Sequence, residues 1–272
     1  MADERALIEQ YRQDLFHLTN MARKDLADFL YQVKGLPVAQ VRDLLIQVMP
    51  DLVNPYLSAS GELSATWYED LRSAVGARGQ FYAQTDTRWV QQSQANAVSR
   101  WAVGALTQDI DDPNALLLSK LGGAVQRMVL DSARGVVEGN VVRDPVRVGY
   151  QRMPRPGCCA FCGMLASRGA VYRSSESAGG VVGRGSTRTG FSASGKRLAG
   201  GIGQGIKARG QMNLGDRYHD DCHCIVMPVF FGTPLAEIAN IEQKKYLGMY
   251  SDVAGGTTKE ILASWRLEHG TN

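Results

Sequence analysis

No apolar run in this chain of 272 residues approaches the roughly 20 that a membrane-crossing helix requires. The opening Met1-Ala2-Asp3-Glu4-Arg5 reads as a charged helix start, without the n-region and h-region of a signal peptide. Synthesis and assembly in the cytosol are therefore expected. Enzyme signatures are also missing. Gly190-Phe191-Ser192-Ala193-Ser194-Gly195 misses the Gly-x-Ser-x-Gly nucleophile elbow by one residue. Gly200-Gly201-Ile202-Gly203-Gln204-Gly205 has glycines but neither a flanking strand nor the Lys-Ser/Thr of a phosphate cradle. No His-x-Glu precedes the first cysteines, which argues against a zinc deaminase. Histidine is scarce at four residues, too few for a His-Cys nuclease. No catalytic residue is assigned, although a Ser-His pair in an unusual order stays open.

Hydrophobic residues make up 44% of the chain, enough to bury a core in one or two domains, and the 21% charged fraction is ordinary. The net charge of +3 hides a division along the chain. Residues 1–142 hold 13 basic and 17 acidic side chains, residues 143–220 hold 13 and 4, and residues 221–272 hold 4 and 6. The basic middle block suits nucleic acid or an acidic protein surface, or else serves only to keep a loop solvated.

The first half reads as helices. Leu7, Ile8, Tyr11, Leu15, Leu18, Ala22, Leu26, Phe29, Leu30 and Val33 recur at steps of three and four and predict one long amphipathic helix, ended by Gly35-Leu36-Pro37. Val38, Val41, Leu44, Leu45 and Val48 predict a second, stopping at Pro50. Further helices are expected over about 65–75, 87–106 and 112–137, the last with Asp112 as its cap and Pro113 in its first turn. Such helices form a bundle or an arm on a partner. No internal repeat is visible.

The texture changes near Gly139. Strands are expected at 146–152 and 225–231, a short helix at 162–167, a returning strand at 169–172, and closing helices at 234–248 and 257–268. Residues 174–216 hold 12 of the 30 glycines and are low in complexity and prone to disorder. The expected class is α+β, with a helical region over 1–140 and a small α+β domain over 141–272.

All five cysteines fall in two clusters, Cys158-Cys159-Ala160-Phe161-Cys162 and His219-Asp220-Asp221-Cys222-His223-Cys224. Cys-x-x-Cys paired with His-x-x-Cys is spaced like the halves of a tetrahedral zinc site, because each tight turn presents two soft donors. Cys159, Cys162, His219 and Cys222 are the expected ligands, with Cys224 the rival for one place. An all-cysteine site stays open, since Cys222 and Cys224 face one side of an extended segment. Buried thiols or a disulfide without metal are the alternative. Four protein ligands leave no place for water, so the zinc would be structural. In the basic block, Arg184, Arg188, Lys196, Arg197, Lys207 and Arg209 can track a phosphate backbone. Phe191 is the one interleaved aromatic, so any DNA contact is expected to be non-specific and salt-sensitive.

Cys159–Tyr172, reading Cys-Ala-Phe-Cys-Gly-Met-Leu-Ala-Ser-Arg-Gly-Ala-Val-Tyr, and Tyr218–Cys224, reading Tyr-His-Asp-Asp-Cys-His-Cys, together resemble the phage Mu F-like minor head proteins, in the form found in tailed phages of actinobacteria. The resemblance covers roughly residues 146–231. It implies a minor capsid protein, assembled in the host cytoplasm and held at low copy inside the virion head near the portal. Its partners would be the portal protein and the major capsid protein, with packaged DNA a further contact and no membrane. Some relatives are fused to a capsid maturation protease. Here only about forty residues follow Phe231, so the protease is the alternative reading, and a zinc-stabilised, non-specific DNA-binding protein the second alternative.

Overall fold

The computed structural model describes residues 2–155, 157–170, 190–191, 197–198, 222–255 and 258–270. The fold is helix-rich with a small two-stranded sheet. It divides into two compact units. One takes in Ala2–Asn140 with Cys222 and His223, and the other the described residues of 141–217 and 224–272.

The first unit is built on α1 (Ala2–Gln32) and α2 (Val38–Ala74), an antiparallel pair joined by a turn in which Gly35 takes a φ of +87°. Ile8, Tyr11, Leu15, Thr19, Ala22 and Leu26 are the buried stripe of α1, the three- and four-residue steps placing them on one face. Tyr11 stacks on Trp67 at 3.9 Å between ring centroids and its hydroxyl pairs with that of Ser64 at 2.7 Å, which sets the register of the two helices.

α2 does not stop at Pro50. It runs through Pro50 and Pro55 and absorbs the separate helix expected over 65–75. A proline costs a helix the bond its N–H would give to the carbonyl four residues back. For Pro50 that carbonyl belongs to Ile46, and it accepts instead from the Gln92 side-chain amide at 3.2 Å. For Pro55 it belongs to Asp51, an exposed residue that water can serve. Meanwhile Val41, Leu45, Met49, Val53 and Leu57 keep one buried stripe through both prolines. The packing outweighs the local breaker.

The helix expected from about Thr87 begins later. α3 spans Gln92–Val103 and continues into a 3-10 turn over Gly104–Thr107. The preceding stretch stays irregular because side chains hold its backbone. Arg72 donates to the carbonyls of Arg78 and Gly79, Glu69 accepts from Ala83 N–H, and Asn54 accepts from Val90 N–H, at distances of 2.7–2.9 Å. Asn140 closes a two-bond amide pair on Gln84, accepting its N–H at 2.8 Å and donating to its carbonyl at 2.9 Å.

α4 (Pro113–Arg143) begins as expected, with Asp112 accepting from Ala115 N–H at 2.9 Å. From Leu121 to Asn140 none of its residues is exposed, so it runs through the interior. Leu117, Leu121, Val125 and Val129 join the core with Leu26, Leu45 and Leu57. The buried hydroxyls of Ser60 and Ser132 are satisfied by the carbonyls of Val129 and Leu57, at 3.1 and 2.9 Å.

The second unit has two six-residue strands, β1 (Val148–Met153) and, late in the chain, Ile225–Phe230. They pair antiparallel, from Val148 opposite Phe230 to Met153 opposite Ile225. Every residue of both is buried, because helices pack on the sheet. α5 (Ala160–Ala166) packs on β1 and α6 (Pro234–Ser251) on the late strand, while α7 (Thr258–His269) packs against α5 and α6. Gln151, inside β1, donates to the Ala239 carbonyl of α6 at 3.0 Å. A second, minimal pairing joins β2 (Gly190–Phe191) to β3 (Arg197–Leu198), so the late strand is β4. The returning strand expected at 169–172 lies in part outside the described residues, as does most of 174–216.

Candidate metal centre

Cys162 sits in α5, whose first turn is capped by Cys159: its sulfur accepts the Cys162 N–H at 3.4 Å. At Gly163, α5 is fitted closely to α7. A Cβ added at Gly163 would lie 2.5 Å from the Trp265 ring, so only glycine lets the two helices approach this closely. Cys222 and Cys224 lead into β4. In extended backbone, alternate residues share a side, and the intervening His223 has its ring 6.0 Å from that of Phe16.

The Sγ atoms of Cys162, Cys222 and Cys224 all lie within 4.8 Å of one another, and all three residues are buried, at 0%, 3% and 2% exposure. No two of the five cysteines are bonded as a disulfide. Two buried guanidinium groups point at this sulfur cluster. Arg134 of α4 donates to the Cys222 carbonyl at 3.1 Å and to its sulfur at 3.5 Å, and pairs with Asp131 at 2.8 Å. Arg152 of β1 donates to the Cys162 sulfur at 3.4 Å, with its guanidinium carbon 5.8 Å from the centre of the Phe161 ring. Cys158 turns elsewhere: its thiol donates to the Tyr246 hydroxyl at 3.8 Å. Burial, and then the neighbouring Cys158, pushes the Tyr246 hydroxyl well above the usual tyrosine range.

The donor set suits a soft cation. Zinc–sulfur bonds of about 2.3 Å hold the sulfurs of a tetrahedral site roughly 3.8 Å apart, inside the 4.8 Å within which the three sulfurs lie. Sulfur binds metal as the thiolate, and two of the three sulfurs each accept a hydrogen bond from a buried guanidinium. The buried three-cysteine cluster can therefore chelate a metal.

Of the ligands expected from spacing, Cys162, Cys222 and Cys224 come together. Cys159 remains at the helix cap, outside that group. His219 lies outside the described residues. So do Arg184, Arg188, Lys196, Lys207 and Arg209. Arg197 falls in β3, its side chain likewise outside. Arg134 and Arg152 were not singled out by the sequence. Arg134 is 88 residues from the cysteine it serves, and no local spacing marks it.

These features define a helix-rich protein with a small, open two-stranded sheet and a buried cysteine cluster fit for metal. The chain belongs to the VG15 protein family, whose family model matches residues 2–253. No curated protein and no solved structure matches the chain. No helix among the described residues is long and apolar enough to cross a membrane.

Proposed function

We propose that this chain is a minor capsid protein of a tailed phage, of the Mu F-like type, whose α+β region is clasped by one structural zinc. The observation that supports it best is the buried cluster of Cys162, Cys222 and Cys224, because it joins the two motifs that carry the resemblance. Cys162, Cys222 and Cys224 would hold the ion, and Cys159 or His219 would supply the fourth donor. The bound zinc supplies folding free energy and a fixed crosslink; with four protein ligands it offers no site to a substrate. The chain's own residues bury the sulfurs, exclude water and orient the thiolates. The helical region would dock on portal or major capsid subunits at low copy in the head.

Quantitative mass spectrometry of purified particles, counting this chain against the major capsid protein, tests the role. A few intact copies per particle are expected. Absence from mature particles together with a trimmed major capsid protein would favour a maturation protease instead. The zinc is tested separately, by metal analysis of protein purified in reductant. About one equivalent per chain is expected, and a metal-free protein with β1, α5 and β4 fully folded would refute it.

A further inference from the structure

We infer that Arg134 and Arg152 are positioning residues of the metal centre, each neutralising and orienting one thiolate by an N–H···S hydrogen bond. The inference rests on the metal reading above and assigns work to two side chains outside both cysteine motifs. Both are among the most buried charged groups of the described residues, at 3% and 8% exposure. A guanidinium cannot shed its proton to escape burial, so each needs a permanent acceptor. The acceptors include the cluster sulfurs, at 3.5 Å for Arg134 on Cys222 and 3.4 Å for Arg152 on Cys162.

The charge logic runs in both directions. Three thiolates within 4.8 Å repel one another, and one divalent ion leaves them with net negative charge. Two buried cations offset it, and the hydrogen bonds to sulfur are charge-assisted. The bonds also fix geometry. Arg134 holds Cys222 by backbone carbonyl and sulfur together, while its other nitrogen is tied to Asp131, so the guanidinium cannot swing away. Arg152 projects from β1, the partner strand of β4, and its fork is steadied over Phe161. Outer partners of this kind hold metal ligands in place, and losing one typically lowers affinity about 10–100-fold.

The test uses the full chain loaded with cobalt(II), a spectroscopic substitute for zinc whose sulfur-to-metal charge-transfer bands report electron density on the thiolates. Arg152→Lys and Arg152→Met, with the matching pair at Arg134, are compared with the parent. Affinity is read by competition with a chromophoric chelator, and folding by circular dichroism. The Met variants should bind cobalt about 10–100-fold more weakly, with charge-transfer bands moved to lower energy, because sulfur without its N–H donor gives up electrons more easily. The Lys variants should recover part of the affinity through charge alone. If a Met variant fails to fold, the Lys variant decides, since it keeps the charge and loses the fork. Unchanged band energies and affinity in folded variants would overturn the inference. A parent protein that takes up no cobalt would instead overturn the metal reading itself.

Discussion

The two units of this chain reach stability by different means. The helical unit has helices of 31, 37 and 31 residues whose apolar stripes share a core running from Ala22 and Leu26 through Leu45 and Leu57 to Leu121 and Val129. The other has two six-residue strands and, beside the cysteines, a helix of seven residues. A two-stranded sheet is marginal in water, and so is a helix of two turns. Long helices spread their stabilisation over many contacts, so two prolines inside α2 are tolerated. Short elements concentrate it, and a metal held by Cys162, Cys222 and Cys224 would then carry a large share.

Removing the metal should give the largest contrast between the units. Chelation under reductant, or Cys162→Ser, withdraws a term on the order of 10 kcal/mol for structural zinc. Hydrogen exchange should show protection lost over β1, α5 and β4 while α1 and α2 keep theirs. Equal loss in both units would erase the distinction. Next in size is Leu45→Ala, at a fully buried position of α2, expected to cost about 2–5 kcal/mol. Chemical denaturation followed by helical circular dichroism measures it, and metal content should not change. Gly163→Ala drives a methyl into the Trp265 ring and should cost about 1–3 kcal/mol by overpacking. Its signature is a shift in Trp265 emission with a lowered melting temperature, and an unchanged melt would show that α7 yields freely. The smallest effect belongs to Gln92→Ala, which leaves the Ile46 carbonyl without its amide. That bond is exposed, so water replaces it at a cost below about 1 kcal/mol. A larger loss in thermal unfolding would mean that α2 depends on this one amide to pass Pro50.

Much of the fold is legible in the chain because its signals are local. The stripe from Ile8 to Leu26, the cap at Asp112, the apolar run of β4 and the start of α6 at Pro234 each follow from residues within a few positions of one another. The errors have a shared cause. Pro50 reads as a helix end because its missing bond is a local loss, and the compensating Gln92 amide comes from another helix. Thr87 reads as helical because nothing nearby shows that Asn140 and Asn54 hold the backbone around it.

The candidate site divides the same way. Its soft donors, their pairing in two clusters and the suitability of that spacing for a tetrahedral ion were determined by the sequence alone, since donor chemistry belongs to side chains and knuckle spacing to short turns. Which three sulfurs converge, and that Arg134 and Arg152 are brought onto them from α4 and β1, was decided only by the tertiary structure. The physical reason is that buried charge is matched through space. A guanidinium finds its sulfur wherever the packing of distant elements excludes water from both, and no spacing along the chain encodes that meeting.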